Sequence, residues 1–498
     1  MSDTDAPSDP ASAGQVYRSA ALAVVIAWSM RLIGLVSVLI LARTLTPADF
    51  GIVALAMATL AVVDAFSALG LKQALLRVKD PDRSHYDTVW TIQLFVLVGL
   101  AMILIGLSPV MAWFYDEPVL AWIIAILATR FVFYGLANIG IVDFERNLEF
   151  GRDLKMRLTV RLTTLVVTIA AALILRNYWA LVIGAVLQGA LHCAASYAFH
   201  PFRPRFSLAH RAAMLGVSIW MFLANFAATL TTEFERFVVG RIGSLGGVGF
   251  YSVSKDLSAI FTNEIATALN RVTFVTTAKT GTSLGEDPVR LRSMLGAYAL
   301  IVAPLGVGIA AIAENFVLVL LGDQWQAAAP FLQFLAPAAA CYAVFKLIIS
   351  SLQASGKAKL AALVAMMAAG LTASIVGATA YWGGTPVHVA QSALGVMAAS
   401  LVIALVILKR EENVGLIGLI ASVGRPFAAA VIMLIAIRLV GIWPGPPFVA
   451  MISAATFGAL IYSVGVASVW IISNRADGAE ANLWAFLTEA RRQANDAN

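Results

Sequence analysis

Residues 41–77 read LARTLTPADFGIVALAMATLAVVDAFSALGLKQALLR, and this stretch contains the pattern that decides the fold. Its centre, residues 51–63, carries no charged side chain, whereas Arg43 precedes it and Lys72 follows it. About 20 helical residues are needed to cross the hydrocarbon core of a bilayer. The run 49–70 is therefore predicted to be a membrane-spanning helix with basic residues at its ends.

The composition of the whole chain agrees with a membrane protein. Of its 498 residues, 60% are hydrophobic and 12% are charged, whereas a soluble globular chain carries roughly twice that share of charge. A single soluble core stops growing near ~300 residues, so lipid is the remaining solvent for this much apolar surface. The net charge of +6 is spread over short loops, which does not predict a nucleic-acid surface.

Cysteine and histidine patterns predict no metal site and no cofactor. Cys193 and Cys341 lie in separate apolar segments, and no CxxC spacing occurs. The five histidines are scattered and form no HExxH-like pair.

Runs of the same kind recur along the chain and predict an all-α polytopic membrane protein with about fourteen spans. The predicted spans are 17–43, 49–70, 88–110, 118–143, 157–175, 178–199, 212–240, 249–276, 293–313, 325–352, 359–381, 387–408, 426–443 and 447–472. The runs are too long and lack the alternation of β-barrel strands. The first run is also too long for the apolar part of a signal peptide.

Loop charge predicts the orientation of these spans. Lysines and arginines collect in alternate connections, whereas the intervening connections carry only Arg43, Arg176 and Arg241. Because positive residues mark cytoplasmic loops, both termini are predicted to be cytoplasmic. The polar residues 1–16 are expected to be disordered, and 474–498 to form a cytoplasmic tail.

An internal repeat predicts two lobes. The segment VGRIGSLGGVGFY (239–251) echoes LARTLTPADFGIV (41–53), so that Arg241 falls on Arg43 and Gly249 on Gly51. The two copies are six helices apart, and an even number gives both halves the same orientation. We therefore expect parallel lobes at 17–200 (helices 1–6) and 201–410 (helices 7–12), followed by helices 13–14 at 411–473.

Several cations lie inside the predicted spans, where a charge costs ~2.5–3.5 kcal/mol on insertion scales. Such side chains usually face a protein interior or a wet cavity, which indicates an anionic cargo such as a phosphate. The predicted binding residues are Arg31, Arg130, Arg236, Arg271 and Lys346.

Each of these predictions has an alternative. Arg31 and Arg130 lie at mid-depth, but they also fit buried ion pairs, for example with Asp64. Glu233 and Arg236 are three residues apart and can neutralise each other. Arg271 and Lys346 lie nearer the cytoplasmic helix ends, where they can snorkel to water or guard the inward entrance. Lys255 is expected to pair locally with its neighbour Asp256.

Asp64 is a lone carboxylate inside the predicted helix 49–70. An intramembrane acid of this kind suits a proton or sodium site that couples transport to an ion gradient. A salt bridge to Arg31 explains it equally well.

The stretch 41–77 resembles the first helical hairpin of polysaccharide exporters, a family in the superfamily of multidrug extruders and lipid II flippases. FERFVVGRIGSLGGVGFYSVSKDL (234–257) resembles the start of that family's second lobe, and LLGDQWQAAAPFLQFLA (320–336) its helix 9–10 connection. The resemblance implies two helical bundles that form a V-shaped cavity with alternating access. It also implies a cargo of undecaprenyl-diphosphate-linked oligosaccharide. The family has no binding motif fixed enough to assign ligand residues in this sequence position by position.

Together these observations predict a flippase of the bacterial inner membrane that serves exopolysaccharide, capsule or O-antigen synthesis. Its partners would be the lipid-linked oligosaccharide, membrane lipids and a polysaccharide polymerase or export machinery. A multidrug or cation antiporter is the alternative, although its cationic cargo would favour unpaired acids in the cavity. A non-transporting scaffold would not need buried charge, so the cations in the spans argue against it. An enzyme would be expected to have a larger external loop, and no catalytic residue is therefore predicted.

Overall fold

The computed structural model describes residues 30, 33–67, 70–147, 149–214, 219–260, 262, 288–412 and 415–472, and their regular structure is helical. In chain order the helices are α1 (Ile33–Thr44), α2 (Pro47–Asp64), α3 (Leu71–Arg77), α4 (Arg83–Tyr115), α5 (Val119–Leu136), α6 (Asp143–Arg146), α7 (Phe150–Leu175), α8 (Trp179–Phe199), α9 (Arg211–Met214), α10 (Ile219–Ile242), α11 (245–260), α12 (Pro288–Ala311), α13 (Ala313–Leu320), α14 (Ala329–Ala354), α15 (Ala358–Tyr381), α16 (Pro386–Glu412), α17 (Leu416–Val440) and α18 (Pro447–Ile472). Short 3₁₀ helices lie at Ala65–Ser67, Ile139–Val142 and Asp323–Ala328.

Within these residues, 11 helices are long and apolar enough to cross a membrane, which confirms the predicted all-α polytopic class. The predicted spans 17–43 and 249–276 are only partly described. The span 212–240 corresponds to α10, whose second half carries three closely spaced charges. The count of fourteen spans therefore stays a prediction.

Contacts divide the chain into two compact units. Unit 1 comprises Met1–Leu45 and Thr59–Ser218, and unit 2 comprises Thr46–Ala58 and Ile219–Asn498. In unit 1, α4 and α5 form a closely packed hairpin, and α8 packs on both α5 and α7. In unit 2, α10 packs on α15, while α12 packs on α14 and α17. The core of unit 2 includes the fully buried Tyr298, Val344 and Val396.

The helix α5 ends earlier than the predicted 118–143, because Asn138 turns the chain. The backbone of Asn138 is extended, and the side chain of Asn138 is fully buried. The Asn138 Nδ2 donates to the carbonyl oxygens of His200, at 3.2 Å, and Phe202, at 2.7 Å. The backbone N–H of Asn138 donates to Ser196 Oγ at 2.8 Å in place of a helical carbonyl oxygen, so the buried turn keeps partners for its polar groups.

Residues 200–210 run without regular structure beside the first turns of α4, and buried side chains of α4 accept their backbone N–H groups. The pairs are Arg205 N to Asp87 Oδ1 (2.8 Å), Ser207 N to Thr91 Oγ1 (3.0 Å) and His210 N to Thr88 Oγ1 (3.4 Å). Because an unpaired buried backbone group is costly, these three side chains fix the path of the segment that leads out of unit 1.

Asp82 caps the N-terminus of α4, where its side chain accepts the backbone N–H of His85 at 3.1 Å. The His85 side chain also hydrogen-bonds this carboxylate, and this contact lowers the pKa of Asp82 to about 2. The start of α4 is therefore fixed by an ionised cap.

Within unit 2, α2 and α11 cross at two glycines. A Cβ on Gly51 would lie 1.8 Å from the carbonyl oxygen of Leu245, and a Cβ on Gly249 would lie 1.9 Å from that of Pro47. The two contacts are equivalent, because Pro47 and Leu245 are related by the same repeat offset as the two glycines. Only residues without a side chain allow the backbones to approach this closely.

We expect Gly51→Ala and Gly249→Ala each to destabilise the protein by about 1–3 kcal/mol, because the added methyl group meets backbone and not a flexible side chain. Thermal unfolding of the detergent-purified protein measures this loss. Gly370→Ala is the matched control, since Gly370 also lies in a unit 2 helix but has open space around it. Equal melting temperatures for Gly51→Ala and Gly370→Ala would contradict the crossing.

Candidate functional site

A cavity of about 270 Å³ lies among α10, α11, α14 and α16 of unit 2. It combines acidic and basic side chains and hydroxyls with small apolar side chains, and its helices α14 and α16 are long and apolar enough to cross a membrane. A polar cavity beside such helices is typical of a site for a polar cargo. Its lining residues are Thr231, Thr232, Glu233, Glu235, Arg236, Lys255, Asp256, Ala259, Thr262, Leu335, Ala338, Ala339, Tyr342, Ala393 and Met397.

Arg236 lies in this cavity between two carboxylates. Its Nη1 donates to Glu233 Oε2 at 2.7 Å on the same helix, and its Nη2 donates to Asp256 Oδ1 at 2.5 Å on α11. The pairing with Glu233 weighed in the sequence is therefore present, and Asp256 adds a second partner. The guanidinium Nε is buried, and no described group accepts from it.

A second cluster lies beside the first. Glu235 is 3% exposed, and its Oε2 accepts hydrogen bonds from Tyr251 Oη at 2.5 Å and from Lys255 Nζ. Lys255 was expected to pair with Asp256, but consecutive helical residues point in different directions. Lys255 instead bonds across to α10, where it also contacts the carbonyl oxygen of Thr232.

Cations within the predicted spans indicated a cavity that binds an anion. The described lining of this cavity, however, is not cationic overall. Three carboxylates, on Glu233, Glu235 and Asp256, accompany two cations, on Arg236 and Lys255. Both cations bond to carboxylates within the cavity wall. An anion that enters must therefore compete with these carboxylates or bind to another cation.

Lys346 differs from the paired cations. It lies on α14, one helical turn after Tyr342 and on the same face, and its side chain is exposed. No described residue forms an ion pair with it. Because Tyr342 lines the cavity, Lys346 lies just beyond the lining on the side of α14 that is predicted to be cytoplasmic.

The other predicted binding residues lie in unit 1 or outside the described residues. Arg130 is half-buried on α5, with its guanidinium carbon 5.9 Å from the centre of the Tyr134 ring. Arg31 and Arg271 lie outside the described residues. Arg236 and Lys346 therefore both lie in unit 2, whereas Arg130 lies in unit 1.

Asp64, the predicted coupling residue, is the last residue of α2. Its carboxylate is exposed, and its Oδ1 accepts a hydrogen bond from Ser67 Oγ at 2.8 Å. The predicted pairing with Arg31 lies outside the described residues. The role of Asp64 in ion coupling stays a prediction.

Glu235 and Tyr251 belong to the site but were not predicted from the sequence. Glu235 stands between Glu233 and Arg236 in the sequence, and its proximity to Tyr251 and Lys255 depends on how α10 and α11 pack. Two acids, Glu233 and Glu235, lie close together in the predicted span 212–240. Because a buried acid requires a partner, this pattern could have indicated a polar cluster there.

The described helices define a class, the polytopic membrane proteins. A model of the family described as polysaccharide biosynthesis protein matches residues 40–330, which is more than half of the chain. The chain therefore belongs to this family, which confirms the resemblance seen in its sequence.

Named relatives agree with this family. The chain is 24% identical over 438 residues to the succinoglycan biosynthesis transport protein ExoT of Rhizobium meliloti (strain 1021), covering 86% of this chain and 88% of ExoT. It is 22% identical over 311 residues to the lipopolysaccharide biosynthesis protein WzxC of Escherichia coli (strain K12), covering 61% of this chain. That second match spans 62% of WzxC, less than two thirds of its length.

Solved structures show the same fold at low identity. The lipid II flippase MurJ, in an inward closed conformation, matches with a TM-score of 0.71 and 13% identity over 90% of this chain and 98% of MurJ. An inward-facing multidrug resistance transporter of the MATE family matches with a TM-score of 0.55 and 12% identity, covering 84% of this chain and 100% of that transporter. These matches confirm the fold of the predicted superfamily.

We expect Lys255→Met to cost about 3–5 kcal/mol, because it leaves the buried Glu235 carboxylate without its cation. The double variant Glu235→Gln/Lys255→Met removes both charges and should be more stable than Lys255→Met alone. Thermal unfolding of the four proteins of this double-mutant cycle measures the coupling. Strictly additive losses would show that the pair does not act as a unit.

Proposed function

We propose that this protein is a flippase that moves undecaprenyl-diphosphate-linked oligosaccharide from the cytoplasmic to the periplasmic leaflet of the bacterial inner membrane. The family match over residues 40–330 carries this proposal. Relatives whose names state lipopolysaccharide biosynthesis and succinoglycan transport support it. The polar cavity among membrane-length helices supplies a place for a polar headgroup.

The proposed cargo has a diphosphate, and its charge needs a cation that is not already bound to carboxylates. Lys346 meets this condition in unit 2, because it is exposed and no described residue forms an ion pair with it. Arg31, Arg130 and Arg271 remain proposed ligands of the diphosphate. Arg236 joins them only if the cargo displaces one of its two carboxylates.

The proposal includes the cellular setting. Both termini are proposed to be cytoplasmic, because the basic loops alternate along the sequence. A polysaccharide polymerase or export machinery is proposed to receive the cargo in the periplasm, and Asp64 to couple transport to a cation gradient. The protein moves its cargo without a chemical step, so no catalytic residue is assigned.

A multidrug or cation antiporter is the second candidate, and one observation favours it. The described cavity lining has one more carboxylate than cations, which suits a cationic cargo. The MATE structure shares the fold alone.

Deletion of the gene from its native host separates the two candidates. The flippase proposal predicts loss of a surface polysaccharide and accumulation of lipid-linked oligosaccharide, measured by mass spectrometry of extracted lipids. Reintroduction of the gene should restore the polymer. Unchanged polysaccharide together with increased sensitivity to cationic drugs would favour the antiporter.

We expect Lys346→Ala to lower polymer export by roughly 10–100-fold in the complemented deletion strain, since a hydrogen bond to a charged group contributes about 1.5–3 kcal/mol. Lys409→Ala is the matched control, because Lys409 is an exposed cation in the last turn of α16 and outside the cavity. Expression of each variant is checked in membranes. Normal export by Lys346→Ala at normal abundance would exclude Lys346 as a ligand of the diphosphate.

A further inference from the structure

Asp82, His85 and His210 come together on unit 1, away from the cavity of unit 2. Asp82 and His85 lie at the start of α4, and His210 lies at the end of the segment 200–210. One side-chain ligand atom from each residue lies within 4.8 Å of the other two. Loop charge places this part of unit 1 on the predicted cytoplasmic side.

The distances within the group are close to those of a metal site. Asp82 Oδ1 lies 2.6 Å from His85 Nδ1 and 4.0 Å from His210 Nε2. Ligands at about 2.0–2.2 Å from a tetrahedral zinc ion are separated by roughly 3.3–3.6 Å, which falls between these two values. Displacements of well under 2 Å would bring the three atoms onto one ion.

The two imidazole rings are stacked, with their centres 3.8 Å apart and an angle of 8° between their planes. Histidine binds metals through the neutral imidazole. Because the lone pair of each nitrogen lies in the plane of its ring, coordination also requires the rings to tilt. Rotation about the broad χ2 torsion of histidine permits this tilt.

The backbones that carry the three side chains are already fixed. Asp82 caps α4 by accepting the N–H of His85, and His210 N donates to Thr88 Oγ1 on the same helix. A site whose ligands are held by neighbouring hydrogen bonds loses little entropy on binding. The three side chains are also partly exposed, which leaves room for a water molecule as the fourth ligand.

We propose that Asp82, His85 and His210 form a binding site for a divalent transition-metal ion of the zinc class. Two imidazoles and one carboxylate are ligands typical of zinc, and an open fourth position completes a tetrahedron. The ion would join the start of α4 to the end of the segment 200–210, and so fix the segment through which the chain leaves unit 1. This site is independent of the proposed flippase function.

No metal site was predicted from the sequence, because His85 and His210 are far apart in the chain and form no spacing motif. The site depends on the hydrogen bonds that lay the segment 200–210 along α4. Sequence spacing alone does not show such a contact.

Zinc binding is measured on the full-length protein, purified in detergent with its affinity tag removed, by isothermal titration calorimetry. Co²⁺ serves as a spectroscopic probe of tetrahedral coordination. We expect about one ion per chain, and at least ~10–100-fold weaker binding for His210→Ala and His85→Ala, since even second-shell losses cost that much. Zn²⁺ should also raise the melting temperature of the wild type but not that of His210→Ala.

Two further variants separate loss of a ligand from loss of the fold. Asp82→Asn keeps an N-cap residue for α4 but lacks the carboxylate, so it should melt like the wild type without metal and bind zinc more weakly. His388→Ala removes an exposed histidine from another part of the chain and should bind like the wild type. No saturable binding by the wild type, or equal binding by His210→Ala, would overturn the proposal and leave the group as a helix cap.

Discussion

The structure depends on one constraint, which is that hydrocarbon offers no partner to a polar group. Each unsatisfied backbone group in the bilayer costs several kcal/mol, so polar groups must find partners inside the protein. Asn138 shows how the chain satisfies this constraint where a helix ends, because its buried amide bonds to carbonyl oxygens of the following segment. Outside the predicted spans, the buried Asp87, Thr88 and Thr91 accept backbone N–H groups of residues 200–210 in a similar way.

The same constraint explains the arrangement of charge in unit 2. A cation inside a predicted span marks a polar interior, but it also requires neutralisation. Arg236 and Lys255 have both properties, because they line a cavity and bond to carboxylates in its wall. Cations in a span therefore predict where a cavity lies better than they predict the charge of its cargo. An exposed cation outside the paired clusters, such as Lys346, is the stronger indication of an anion.

The sequence predicts those features that depend on composition and period. The apolar runs predict the all-α membrane class, and the repeat aligns Gly51 with Gly249, the two glycines at which α2 and α11 cross. The features that it misses depend on how helices pack. The pairing of Lys255 with Glu235 depends on the contact between α10 and α11, and the end of α5 depends on partners that Asn138 finds more than sixty residues later.

The ion pairs between α10 and α11 also bear on how the chain enters the membrane during synthesis. On the insertion scale a single Lys, Arg or Asp at a helix centre costs about 2.5–3.5 kcal/mol, and α10 carries Glu233, Glu235 and Arg236 within its second half. Its cationic and acidic partners Lys255 and Asp256 are on α11, which follows after a short turn. Arg236 already pairs with Glu233 inside α10, but the buried Glu235 gains its cation only when α11 packs on α10. Entry of the two helices into lipid as a hairpin is therefore less costly than entry of α10 alone, because a buried carboxylate without a cation is strongly destabilising.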